Sequence, residues 1–270
     1  MLSPVRTAII PAGGTGSRLM PLTRAVPKEL LPVWKKPVLQ YAIDEAAAAG
    51  IEHLIIVTAP GKESLQRHIN FDDKLGNVTN TSGLTIEFIV QDVARGLGDA
   101  IRLAAPRNEP VAVLLPDELL LGENCLRQLV QSYVTNQASI LAVQKVPLAE
   151  VRHYGIVDVT TLDGRSLDVR AVIEKPEPHL APSQLAIIGR YVLDPAVIDA
   201  LQTAMPTLNN EIQLTDSIAA TCGNATVKAV HFDGRRFDCG NFQGLLQANL
   251  AMAEMENPKN IGPVIDRTAA

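Results

Sequence analysis

Short apolar runs alternate with longer segments of helical period through the first half of the chain. "RTAIIPA" is apolar throughout and ends at glycines, the pattern of a buried parallel strand. "PVLQYAIDEAAAAG" opens on proline, is alanine-rich and stops at Gly50, which predicts a helix with both ends marked. "EHLIIVTA", "LTIEFIVQ" and "PVAVLLPD" read as three more strands, and "KESLQRHI", "GLGDAIRLAAP" and "ENCLRQLVQSYVTN" as helices. Strands alternating with helices predict βαβ units and a mainly parallel sheet covered on both faces.

From about residue 138 the texture changes. "ASILAVQKV", "YGIVDVT", "LDVRAVIEKP" and "LAIIGRYVL" follow one another with short turns, one of them at "LDGRS". This half is strand-rich and mixed in direction. Helices return at "PAVIDALQTA" and "IQLTDSIAATCG", followed by a strand, "TVKAVHFDG", and a last helix from about Phe242. There is no internal repeat, and "NPKNIGPVIDRTAA" reads as a loosely held end. The expectation is one α/β domain over 1–270, a Rossmann-like mixed sheet flanked by helices. Its strand-rich second half forms a lobe over the carboxyl ends of the parallel strands, where open sheets bind ligands.

Composition narrows the function. The 270 residues are 47% hydrophobic but only 4% aromatic, so the core is aliphatic. A net charge of −5 argues against a nucleic-acid or membrane-surface binder, though not against a local cationic pocket. Cys125, Cys222 and Cys239 are far apart and odd in number, which fits neither a disulfide framework nor a zinc site. Without a signal-like N-terminus or an apolar run of membrane length, the expected setting is cytoplasmic.

Candidate chemistry lies at strand ends. "PAGGTGSRLMPLTRAVPKELLPV" is neither a P-loop nor a dinucleotide fingerprint, since the required lysine and third glycine are missing. Its glycines still let backbone amides approach an anion, with Arg18 and Lys28 just beyond. An ordinary βα turn is the bland alternative. Asp117 ends the fourth strand and is either a capping carboxylate or a Mg²⁺ ligand; a magnesium site calls for a partner, which Asp238, at the end of "RRFD", offers. In "VIEKP", Glu174 and Lys175 are an exposed ion pair, or a carboxylate for sugar hydroxyls beside an ammonium for a phosphate. Gly155 would let a sugar approach the backbone. Gln91 carries an amide able to donate and accept, suited to a pyrimidine edge. The five histidines show no metal spacing and no G-x-S-x-G is present, so hydrolase and zinc chemistry are weakly supported.

In this order, from "AIIPAGGTGSRLMP" through "PKELLPV", "GLGDA", "LLPD", "IEKP" and "NEIQLTD" to "FDCGN", the chain resembles the sugar-nucleotide pyrophosphorylases. Within them it looks like the bacterial uridylyl-transferring branch that acts on glucose 1-phosphate. The resemblance implies Mg²⁺-dependent formation of UDP-glucose and pyrophosphate from UTP and glucose 1-phosphate, in a homo-oligomer (dimer or tetramer). Thymidylyl transfer and a non-catalytic sugar-nucleotide-binding paralogue are the alternatives. It also implies roles. Backbone groups of Ala12, Gly13 and Gly14 hold base and phosphates, Arg18 lines the triphosphate, and Lys28 stabilises the reacting phosphates. Gln91 and Gly96 read the uracil, and Asp117 and Asp238 hold Mg²⁺. Gly155, Glu174 and Gly189 shape the glucose pocket, and Lys175 binds the sugar phosphate. The nucleotide half runs to about 137 and the sugar-phosphate half from about 138 to 257. The chain departs from the family at Lys35, where relatives carry aspartate, at Asp92 and Arg95, and in a short 71–82 region.

Overall fold

A computed structural model describes residues 5–70, 83–160, 166–207, 209–223 and 227–256. The 71–82 region, most of the "LDGRS" turn and the end from 257 lie outside the described residues.

The chain runs through β1 (Thr7–Pro11), the two-residue strands β2 (Pro32–Val33) and β3 (Lys36–Pro37), α1 (Val38–Ala48), β4 (His53–Thr58) and α2 (Glu63–Ile69). It continues through β5 (Thr85–Val90), α3 (Gly96–Ala104), β6 (Val111–Leu114), β7 (Glu118–Leu121) and α4 (Cys125–Asn136). The second half contributes β8 (Ser139–Lys145), β9 (Gly155–Val159), β10 (Ser166–Glu174), β11 (Leu185–Leu193), α5 (Pro195–Thr203) and α6 (Leu214–Thr221). β12 (Val227–His231), β13 (Arg235–Asp238) and α7 (Phe242–Glu256) follow. Local sequence sets several boundaries. The Asn124 side chain accepts the Arg127 amide at the start of α4, and Asp194 with Pro195 starts α5.

One nine-stranded sheet carries both halves, in the order β5-β4-β1-β6-β11-β8-β12-β10-β9. β5, β4, β1 and β6 are mutually parallel, and β12 is parallel to β8. β11 runs antiparallel between β6 and β8. The strand-rich half is thus a continuation of the sheet, whose last strand, β9, also pairs with β11. Alternation along the strands divides the core. Ile9 and Val113 face one layer, with Ile101, Ile198 and Ile218 from α3, α5 and α6. Ala8, Ile10 and Leu114 face the other, with Leu39 and Ile43 of α1 and Leu126 and Leu129 of α4. A third cluster seats Ala248 and Ala251 of α7 on Leu119 and Phe237.

The chain leaves β1 toward β4 on one side and β6 on the other. That reversal of strand order is where open α/β sheets bind ligands, outside the carboxyl ends. The glycine-rich segment leaves β1 there, and Asp117 leaves β6.

Candidate active site

Lys62 holds the glycine-rich loop in shape. Its ammonium donates to the carbonyls of Ala12 (2.6 Å) and Gly14 (2.7 Å) and to both oxygens of Glu29 (3.0 and 2.9 Å). Glu29 is fully buried, and burial pushes its carboxyl up and the Lys62 ammonium down despite their mutual attraction. With its carbonyls drawn back, the loop leaves the amides of Gly13, Gly14 and Thr15 without an acceptor among the described residues. Free amides in such a loop are an anion cradle. The Ala12 amide, by contrast, donates to Val57 (2.7 Å), so that N–H ties the loop to β4. The Lys62 contact was invisible in the sequence, where a lone lysine in "APGKE" gives no sign of what it touches.

Asp117 lies three residues past the end of β6 rather than on it, because the strand stops at Leu114 and Pro116 intervenes. Arg190, 1% exposed in the middle of β11, holds this turn. It donates to the carbonyls of Leu115 (3.0 Å) and Glu118 (2.8 Å) and forks onto Glu45 (3.0 and 2.9 Å). β7 pairs antiparallel with β13, which brings Asp238 alongside, and the Cys239 amide donates to the Asp117 carbonyl (2.7 Å). Glu118, the first residue of β7, makes a buried two-pronged pair with Arg236 (2.6 and 2.7 Å). Burial and the charges of Asp117 and Asp238 push Glu118 up to about 7 against the opposing pull of Arg236. Arg236 in turn lies over the Tyr154 ring at 4.6 Å.

Each carboxylate already has a cation. Lys28 Nζ sits 2.6 Å from Asp117 Oδ2, and Arg18 Nη1 3.1 Å from Asp238 Oδ2. Burial alone would pull the Lys28 ammonium down and the Asp117 carboxyl up, but each holds the other ionised, so Lys28 ends raised and Asp117 lowered. Gly240 makes room between them. A Cβ built there would fall 2.9 Å from Asp117 Oδ2, 2.9 Å from Asp238 Oδ1 and 2.8 Å from Arg18 Nη2. Two carboxylate oxygens therefore face one small space that only glycine leaves open. That suits Mg²⁺, which takes one or two protein carboxylates and fills its shell with phosphate oxygens and water. Among the described residues no group of three or more histidine, cysteine or carboxylate side chains is gathered for a metal.

Glu174 ends β10 and accepts from Thr215 Oγ1 at 3.0 Å. Lys175 has φ 45°, a left-handed turn that breaks the strand alternation and sets its ammonium 3.1 Å from Glu174 Oε1. The two side chains thus share one side, where an unbroken strand would have separated them. A Cβ at Gly155 would lie 2.8 Å from Thr215 Cγ2. Gly189 has φ 70° and packs its bare backbone on Leu115.

These parts form two adjoining clefts. One, of about 400 Å³, is lined by Gly13, Gly14, Thr15, Lys28, Gln91, Gly96 and Asp117. The other, of about 580 Å³, is lined by Arg18, Gly96, Asp117, Tyr154, Gly155, Glu174, Lys175, Gly189, Thr215 and Asp238. They share Gly96, Leu97, Leu115, Asp117 and Glu211. Of the expected site residues only Ala12 lines neither. Lys35, at the departure from the family pattern, is outside both clefts, paired with Glu256 at the surface.

The family model for nucleotidyl transferases matches residues 7–255. The chain belongs to that family. As a nucleotidyl transferase it is similar to the UTP–glucose-1-phosphate uridylyltransferase of Staphylococcus haemolyticus, with 38% identity over an alignment of 275 residues that covers 96% of this chain and 95% of the relative. The enzyme of that name from Pseudomonas aeruginosa is 38% identical over 263 residues, covering 90% and 94%. A solved UDP-glucose pyrophosphorylase complexed with UDP-glucose superimposes on this nucleotidyl transferase with a TM-score of 0.86 at 35% identity, covering 93% of this chain and 99% of the other. A UTP-bound pyrophosphorylase from Acinetobacter baumannii gives 0.81 at 32% identity, covering 94% and 95%. No helix among the described residues is long and apolar enough to cross a membrane.

Proposed function

We propose that this nucleotidyl transferase is a UTP–glucose-1-phosphate uridylyltransferase, joining UTP and glucose 1-phosphate into UDP-glucose with release of pyrophosphate. The observation that carries the reading is the pair of clefts meeting at Asp117, with Lys28 and Arg18 on the carboxylates between them. The names of its relatives, over nearly the whole chain, support the same substrates. Residues to about 137 hold the nucleotide and those from about 138 to 257 the sugar phosphate.

The chemistry needs no general base, because the attacking phosphate oxygen of glucose 1-phosphate is already an anion. That oxygen bonds to the α-phosphorus of UTP, and the bond from the α-phosphorus to the bridging oxygen breaks. Pyrophosphate leaves with the electron pair. The difficulty is bringing two anions into line, so positioning and charge neutralisation supply the catalysis. The free amides of Gly13, Gly14 and Thr15 receive phosphate oxygens. Lys28 neutralises the reacting phosphates, Arg18 the departing pyrophosphate, and Lys175 the sugar phosphate. Glu174, steadied by Thr215, accepts from sugar hydroxyls. Members of the family generally use a divalent metal. Mg²⁺ held by Asp117 and Asp238 would neutralise phosphate oxygens when bound.

Pyrophosphate release from the pure protein with Mg²⁺, measured over UTP, dTTP and CTP against several hexose 1-phosphates, tests this. The greatest turnover is expected for UTP with glucose 1-phosphate. A clear preference for dTTP moves the assignment to thymidylyl transfer, and no release with any pair leaves a binding protein. Asp238→Asn should cost about a hundredfold or more in kcat; near-normal turnover at low Mg²⁺ rules out its role as a metal ligand.

A further inference from the structure

Gln91 reaches the nucleotide cleft with its amide already oriented. Its backbone is fixed just past β5, where its amide N–H donates to the Thr58 carbonyl at 2.8 Å. The side chain is 7% exposed. Nε2 lies 2.7 Å from Asp99 Oδ2 and 3.4 Å from the Gly96 carbonyl. Both neighbours can only accept, so the NH₂ must face them and Oε1 must face the other way. Oε1 lies 3.4 Å from where a Cβ on Gly13 would stand, on the side of the glycine-rich loop. Among the described residues nothing donates to it. The amide therefore offers the cleft an acceptor and no donor, narrower than the two-way role its residue type suggested.

Asp99 is what enforces this. It is 4% exposed in the first turn of α3. Its other oxygen, Oδ1, is taken by Arg102 one turn on. With both oxygens committed, the carboxylate faces Gln91 with an acceptor only.

We propose that Asp99 is a specificity-positioning residue: by holding the Gln91 amide with Oε1 toward the cleft, it selects a pyrimidine with an N–H at its pairing edge against one with a bare ring nitrogen there. Uracil and thymine carry that N3–H. Cytosine has a lone pair at N3, which would face the lone pairs of Oε1. The inference rests on the uridylyl-transfer reading, and it concerns UTP against CTP only, since UTP and dTTP share the imide edge.

The chemistry of Asp99→Asn makes the test sharp. Arg102 requires an oxygen, so the remaining Oδ1 of the new side chain stays with it and Nδ2 turns to Gln91. Gln91 is then drawn to reverse, with Oε1 to Nδ2 and its NH₂ toward the base, giving up only its long 3.4 Å contact with the Gly96 carbonyl. The ratio of kcat/KM for UTP over CTP should fall about tenfold or more in Asp99→Asn. It should fall less in Asp99→Ala, where the amide is merely freed. Arg102→Gln keeps the carboxylate and should leave the ratio at the wild-type value while lowering stability. Wild type is measured first. If it does not use UTP, the uridylyl-transfer reading fails before any variant is read. If wild type uses UTP and the ratio is unchanged in Asp99→Asn and Asp99→Ala, Asp99 is a structural helix residue and the proposal is overturned. Should Asp99→Ala not fold, the near-isosteric Asp99→Asn decides alone, and a loss of turnover equal for UTP and CTP counts against the proposal.

Discussion

Gly240 shows how much a single missing methyl can do. Its φ lies outside the left-handed region, so alanine would meet no backbone penalty. Only space would be lost, between Asp117, Asp238 and Arg18. Gly240→Ala should therefore fold with a melting temperature close to wild type and lose at least about tenfold in kcat/KM. Full activity with normal Mg²⁺ dependence would show that the space is not used. The residues legible in the sequence were those whose chemistry shows in their type and place: arginine, lysine and aspartate just beyond strand ends. Asp99, Lys62 and Arg190 were not legible, because their work is to orient another group. Which group that is depends on tertiary neighbours, 33 positions away for Lys62 and Glu29 and 145 for Arg190 and Glu45.

Among the elements, the long strands and helices were read correctly because their apolar period is unbroken and their ends carry proline, glycine or an N-cap side chain. The strand ending at Asp238 is legible, but β7 and its pairing with β13 are not. "LLPDELLL" reads as one apolar run, and only pairing of Glu118–Leu121 with Arg235–Asp238 reveals a second strand after Pro116. That ribbon holds Asp117 and Asp238 together. The glycine-rich loop, by contrast, is held to the "PKE" turn and to the end of β4 through Lys62 and Glu29. Lys62→Met strands a buried carboxylate and should cost about 3–5 kcal/mol in urea unfolding. Adding Glu29→Gln should recover much of that loss. A double variant that loses the sum of the two single losses would mean the pair does not interact.

At the scale of the whole molecule, the acid limit of stability has an identifiable contributor. His68 on α2 lies beside Gln40 of α1, with Nε2 3.2 Å from Oε1. Burial pulls its imidazole below the ordinary 6.5. The unfolded chain therefore takes the proton first, and the contribution of His68 is complete above pH 6.5 and is lost as pH falls through the lower folded value. Between about pH 7.5 and 5, wild type should lose more unfolding free energy than His68→Gln; equal losses would clear His68. The two halves of the chain raise a different question at this scale, whether they could be parted. β11 is buried at all nine positions and supplies the antiparallel neighbour of β6. A polypeptide ending at 137 would carry "VAVL" of β6 as a bare, wholly apolar edge, a template for pairing with other chains. Split at that boundary, the first fragment should aggregate unless the second is made alongside it. Each cleft draws lining residues from both halves, and the halves share one sheet, so neither half carries a complete cleft by itself.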